Sequence, residues 1–200
     1  MTTQLNEKAQ TILAGALEVF TTQGYAAASM DRIAAAAQVS KPTVYKYFPT
    51  KEDLFVAAIE QLTQNTHQIL FDLPADPKQQ LPPEAVLRHI AYSVLTEVAE
   101  NRPFLTLMRL VIGESERFPE LAQTFVRNLQ KPMLDRFTHY LASHPQLHFR
   151  DPMVTARIFA GSLVHYLIVQ SMLQGAEILP LERDRFIEGL IQTILAANPV

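Results

Sequence analysis

The hydrophobic pattern is helical from end to end, and it is cleanest near the C-terminus. There Ile187, Leu190, Ile191, Ile194 and Leu195 recur at i, i+3, i+4, i+7 and i+8, one stripe of an amphipathic helix spanning about 182–197. The same spacing predicts helices over about 84–100, 103–114, 118–142 and 151–175. In the helix over 151–175 the apolar residues wrap nearly the whole circumference, so every side of it needs cover. Pro132 lies inside the 118–142 segment and should kink it. No alternating strand pattern, glycine-rich nucleotide loop or internal repeat interrupts this, and the chain is expected to be all-α. The segment Leu73–Pro83, with Pro74, Pro77, Pro82 and Pro83, separates a long helix of about Lys51–Phe71 from the rest. The expected organisation is a head at 1–55 and a helical body at 56–200, joined by that helix.

Within the head, two short helical patterns meet at a tight turn. Ser29 is a good N-cap for a helix through Ile33 and the small residues Ala34 to Ala37, which allow close helix approach. The turn is Gln38-Val39-Ser40, with Val39 placed to plug the angle between the helices. Ser40 caps a second helix, Lys41–Phe48, whose first turn tolerates Pro42. Val44 and Phe48 should be buried, leaving Thr43, Tyr45, Lys46 and Tyr47 to face outward. Thr50 and Asp53 approximate a capping box for the next helix. This is the layout of a DNA-reading helix-turn-helix. It is also that of a plain helical corner.

Charge favours the first reading locally. Residues 1–55 balance basic against acidic, but Arg32, Lys41, Lys46 and Lys51 fall in a stretch without a carboxylate. With a net charge of −3, the chain cannot attract nucleic acid through its overall field, so binding must come from this patch.

The anchors Ile12–Phe20, Gly24-Tyr25, Ile33-Ala34, Val39-Ser40, Thr43–Phe48 and Lys51-Glu52 resemble, in register over about residues 8–58, the N-terminal domain of the tetracycline-repressor (TetR) family. The resemblance implies a homodimeric transcriptional regulator whose C-terminal domain binds a small effector. It places Lys41, Pro42, Thr43, Tyr45 and Lys46 where the family meets base edges and sugar-phosphate, and Tyr47 and Lys51 on its backbone-clamping positions. The turn departs from the commoner form, which has Gly where this chain has Gln38. Arg109–Ala122, RLVIGESERFPELA, is similar to the effector domain of the AefR-like subgroup.

In the body, Phe104, Leu107, Met108 and Val111, then Phe125, Leu129 and Met133, then His165, Tyr166 and Val169 suit the lining of an apolar cavity for a small hydrophobic or amphipathic effector. The same residue types at helical spacing also build ordinary core. A two-fold copy of the chain is the simplest cover for the apolar helix, with Gly161 and Ser162 permitting close contact. The resemblance implies dimerisation through the last two long helices, which adds Ile187, Leu190, Ile191 and Ile194 to the expected interface. The uncharged run Ile158–Ala176 is long enough to span a bilayer, but Ser162, His165, Tyr166, Gln170, Ser171 and Gln174 argue for a helix shared between subunits, and no membrane partner is expected.

Hydrophobic residues make up 48% of the chain, enough for a substantial core, and there is no cysteine, which fits a cytoplasmic protein. His139, His144 and His148 with Asp151 lie close in sequence, but Pro145 and Pro152 break up any shared helical face, so no metal and no cofactor is expected. Glu97 with Glu100 and Glu114 with Glu116 are unaccompanied by a nucleophile elbow, HExxH or phosphate loop, and an enzyme is not expected. The expected function is a ligand-responsive repressor that binds a palindromic double-stranded operator as a homodimer. The rival is an all-helical ligand carrier or co-regulator without specific DNA binding.

Overall fold

The computed structural model describes residues 7–70 and 81–198, with side chains over 7–61 and 81–198. Among the described residues it is all helix: α1 (Glu7–Ala27), α2 (Met30–Ala36), α3 (Lys41–Tyr47), α4 (Lys51–Leu70), α5 (Pro83–Ser93), α6 (Arg102–Glu114), α7 (Pro119–Phe125), α8 (Lys131–Ser143), α9 (Pro152–Leu167) and α10 (Arg183–Ala196). The prolines at 74 and 77, and Phe71 at the end of the expected long helix, lie outside the described residues. Pro83 starts α5 from its first turn, where a missing N–H has no consequence.

Two compact units account for the packing. One comprises residues 1–64 with 102–129, the other 65–101 with 130–200. The division at residue 55 follows the order of the chain, whereas the packing does not. Helix α6 packs along α1 and so belongs with the head.

In the first unit, α1 turns Ile12, Leu13, Ala16 and Phe20 inward to meet Ile33, Val44, Leu54 and Phe55, all fully buried. Helices α1 and α2 approach closely at Gly15, where a Cβ would sit 2.7 Å from the Ala37 backbone nitrogen. Helix α2 begins on Ser29, whose hydroxyl accepts from the Arg32 N–H at 3.3 Å. It ends in a Schellman motif, with the Val39 N–H donating to the Ala34 carbonyl and the Gln38 N–H to the Ala35 carbonyl. That motif needs a left-handed residue, and Gln38 takes it at φ 53° where glycine would be unstrained. Ser40 then caps α3, accepting from the Thr43 N–H at 3.3 Å. The Thr50/Asp53 capping box forms in both directions: the Thr50 N–H donates to the Asp53 carboxylate at 3.1 Å and the Asp53 N–H to the Thr50 hydroxyl at 3.0 Å.

In the second unit, α9 packs on α8 and α10 packs on α5. Polar contacts fasten α10 to its neighbours: Arg88 of α5, which also pairs with Glu84 of its own helix at 2.7 Å, pairs with Glu188, and Arg183 donates to the Thr96 hydroxyl at 3.2 Å. The segment expected as one kinked helix over 118–142 runs as α7 and α8 joined by a π-helical stretch, Val126–Gln130. Pro132 explains it. Its ring would clash with the carbonyl of Asn128 in a regular α-helix, and the wider turn falls at that carbonyl. Further π-helical stretches extend α5 (Val94–Val98) and α9 (Ile168–Met172), and Gln174, left-handed at φ 54°, ends the latter.

Candidate nucleic-acid interface

Helix α3 presents the outward face that the sequence predicts. Val44 is fully buried and Phe48 nearly so, which orients the helix. Lys41, Pro42 and Lys46 are exposed, Tyr45 is 44% exposed, and Thr43 and Tyr47 are half-buried. The Thr43 hydroxyl lies 2.7 Å from the Ser40 hydroxyl, so one edge of this face is held by the cap. The Lys41 ammonium lies 6.0 Å from the centre of the Tyr45 ring. It is also paired with Asp31 at 2.8 Å, and that hydrogen bond and charge hold the ammonium above the ordinary lysine range.

Two more cations of this stretch have hydrogen-bond partners within the head. Arg32 donates to the Gln23 side chain at 2.7 Å and to the Ala27 carbonyl at 3.1 Å, closing the end of α1. Lys51, expected on a phosphate, points inward instead. Its ammonium donates to the carbonyls of Tyr25 at 2.9 Å and Ala28 at 3.2 Å and sits 4.2 Å from the centre of the Tyr25 ring. Unsatisfied carbonyls at the end of α1 and an aromatic face together make a better seat for this ammonium than an open surface.

Tyr25, which the charge reading passed over, organises this corner. Gly24, at φ 79°, lets the chain leave the regular part of α1 and swing the Tyr25 ring inward. The ring stacks on Phe20 at 5.6 Å and meets Phe55 and Phe118 edge-on at 5.2 and 5.0 Å. Its hydroxyl donates to Glu52 at 2.9 Å. Burial, then the hydrogen bond to Glu52 and that carboxylate's charge, push the phenol far above its ordinary range. The Gly-Tyr pair ahead of a Ser-capped helix was the available signal.

The residues expected to line an effector cavity are divided between the units. Phe104, Met108, Phe125 and Leu129, with Leu107 and Val111, are buried in the first. In the second, Met133 and Val169 are half-buried and His165 is exposed. Tyr166 is half-buried and its hydroxyl is already engaged, donating to the Leu181 carbonyl at 3.0 Å. His165 and Tyr166 are therefore not free polar handles inside a buried pocket of this unit.

Of the residues expected at a subunit interface, those of α10 and those of α9 are placed differently. Ile187, Leu190, Ile191 and Ile194 are buried within the chain's own second unit, so the stripe of α10 builds core rather than an exposed face. Helix α9 uses one side, Ala156, Phe159, Leu163 and Leu167, for that core and leaves the other bare. The bare side carries Val154, Ile158, Gly161 and His165 at helical spacing, and a Cβ on Gly161 would meet nothing within 4 Å. Ser162 is half-buried beside it, its hydroxyl donating to the Ile158 carbonyl at 2.8 Å. Beyond α9, Leu173, Ile178 and Leu179 are also exposed.

Comparison with known proteins agrees with this architecture. The family model "Bacterial regulatory proteins, tetR family" matches residues 12–58, and "AefR-like transcriptional repressor, C-terminal domain" matches residues 85–197. The HTH-type transcriptional regulator AcrR of Shigella flexneri is 31% identical over 140 residues, covering 69% of this chain and 64% of that protein. This chain therefore aligns with less than two thirds of that relative's length. A TetR-family transcriptional regulator from Mesorhizobium loti MAFF303099 superposes with a TM-score of 0.78 at 23% identity, covering 99% of this chain and 100% of the other. The flavonoid-responsive regulator FrrA superposes with a TM-score of 0.75 at 29% identity, covering 98% and 99%. With an N-terminal helix-turn-helix unit and a helical body both matched, the chain belongs to the tetR family of bacterial regulatory proteins.

Proposed function

We propose that the chain is a cytoplasmic, ligand-responsive transcriptional repressor that binds a palindromic operator in double-stranded DNA as a homodimer. The observation that carries this reading is the outward face of α3, a short helix entered through the Schellman turn and the Ser40 cap and held at its far end by buried Phe48. Pro42, Thr43, Tyr45 and Lys46 are the residues offered to base edges and sugar-phosphate, and Lys41 and Tyr47 flank them. Two heads on a two-fold axis read two half-sites about one helical turn apart, and the link between them raises affinity through effective concentration. With Lys41 and Lys46 of both protomers neutralising phosphates, the log–log salt slope should be about −3 to −4.

The two-fold axis is proposed to run along the bare side of α9. Pro152–Met172 has the length and apolarity of a membrane span, but Gly161, Ser162 and His165 on or beside that side suit a second helix better than lipid. For the effector, the buried apolar residues Phe104, Met108, Phe125 and Leu129 suit a small hydrophobic, amphipathic or aromatic molecule, and the flavonoid-responsive relative supports that class. Phe118, between α6 and α7, touches Tyr25 of the head, so displacement of that corner would tilt the head. Only an effector that binds the DNA-free state more tightly can release the operator in this way.

The test is selection of bound fragments from a random duplex pool by the purified protein, followed by salt titration of the winner. A two-fold symmetric motif with a slope near the stated value is expected. Recovery of no enriched sequence at low salt would overturn the reading and favour a ligand carrier.

A further inference from the structure

The mouth of the helix-turn-helix is closed by an ion pair. Asp31, in the first turn of α2, holds the first residue of α3, Lys41, with Oδ1 and Nζ 2.8 Å apart and both side chains open to solvent. The other cations of the stretch are engaged elsewhere: exposed Arg32 is hydrogen-bonded to Gln23 and Ala27, and Lys51 is turned onto the carbonyls of Tyr25 and Ala28. Sequence-independent attraction to phosphate therefore rests on exposed Lys46 and on a Lys41 that has a carboxylate at its side.

We propose that Asp31 is a specificity-determining residue, a latch that keeps Lys41 from the DNA backbone unless α3 is seated in its matched groove. The inference rests on the reading that α3 enters the groove. For Lys41 to take a phosphate it must exchange one anion for another, and the Asp31 carboxylate repels the phosphate that approaches. On random duplex this exchange gains little, so backbone binding is muted. On the matched site, base contacts from Thr43, Tyr45 and Lys46 fix the register, and the exchange is carried by them. Weakening the wrong complex more than the right one is how a repulsive group produces discrimination.

The experiment measures the dissociation constants of full-length dimer for two duplexes of about 30 base pairs, one selected by this protein from a random pool and one of scrambled sequence, across a range of salt. Asp31→Asn keeps the shape and the polar head of the side chain and removes its charge. It is expected to bind scrambled duplex roughly five-fold or more tightly, to tighten on the selected duplex by less, and to make the scrambled-duplex salt slope steeper by about two, one lysine per protomer. In a Lys41→Gln background the Asp31→Asn effect should shrink towards zero, because the latch acts through Lys41. Lys41→Gln also opens the pair from the other side should Asp31→Asn melt early. An Asp31→Asn effect of equal size with and without Lys41 overturns the latch. So does an unchanged affinity and slope in Asp31→Asn when Lys46→Gln weakens binding. If Lys46→Gln leaves both duplexes unaffected, the seating of α3 in the groove fails, and the latch with it.

Discussion

Two side chains sit where their own chemistry is least comfortable, and each gives a measurable consequence. Gln38 adopts a left-handed backbone conformation to close α2, at a cost of about 1 kcal/mol for a residue with a Cβ. Gln38→Gly should raise unfolding stability by about 0.5 kcal/mol, since glycine relieves the strain but loses more freedom on folding. Urea melts check this, and a decrease would mean that the Gln38 side chain makes a contact worth more than the strain. Tyr140 is the second case. Its hydroxyl is buried without a hydrogen-bond partner among the described residues, and burial pushes the phenol from 10.0 up to about 12. The sign follows directly: above pH 10 the unfolded chain releases this proton first, so stability falls as pH rises from about 10 towards 12. Tyr140→Phe should leave the protein as stable or up to about 1 kcal/mol more stable at neutral pH, with a shallower alkaline decline. Equal alkaline slopes in the two proteins would contradict it.

Helix ends were legible in the chain and side-chain partners were not. Ser29, Ser40 and Thr50 announce the starts of α2, α3 and α4 because a capping hydroxyl acts on amides two or three residues away, a range that sequence displays directly. Lys51 reads as a surface cation because the carbonyls that take its ammonium come from Tyr25 and Ala28, far back along the chain. The clean stripe of α10 misled for a related reason: amphipathic spacing shows that a face is buried, not by whom, and here the chain's own unit buries it. Helix α9 was the more telling signal, since apolar residues all round cannot be covered by one side's packing. The membership of α6 and α7 in the head's unit had no local signature at all, because it arises from α6 lying along α1. The reassignment of Lys51 is testable. Lys51→Ala should destabilise the head by about 1–3 kcal/mol, leaving two carbonyls and a buried ring face without their cation, while the salt slope of DNA binding stays put. Lys46→Ala should do the opposite, flattening the slope by about two per dimer with little change in melting.

At the level of the assembly, the open question is what covers Ile158. It is 53% exposed in the protomer, and Val154 one turn before it is 49% exposed, while the opposite side of the same helix is fully engaged in the core. A charge placed there has nothing to disturb inside the protomer. Ile158→Glu should therefore leave helical content and the unit cores intact, yet set two carboxylates against each other across a two-fold axis. Sedimentation should then show a monomer where a dimer is expected of the unaltered protein. Operator affinity should fall by a hundredfold or more, because each head alone loses the effective concentration supplied by its partner. Affinity for scrambled duplex, which draws on single phosphate contacts, should fall much less. An Ile158→Glu protein that remains dimeric would move the two-fold axis off the bare side of α9. The exposed run from Leu173 to Leu179 would then be the surface to test next, with Ile178→Glu as the corresponding change.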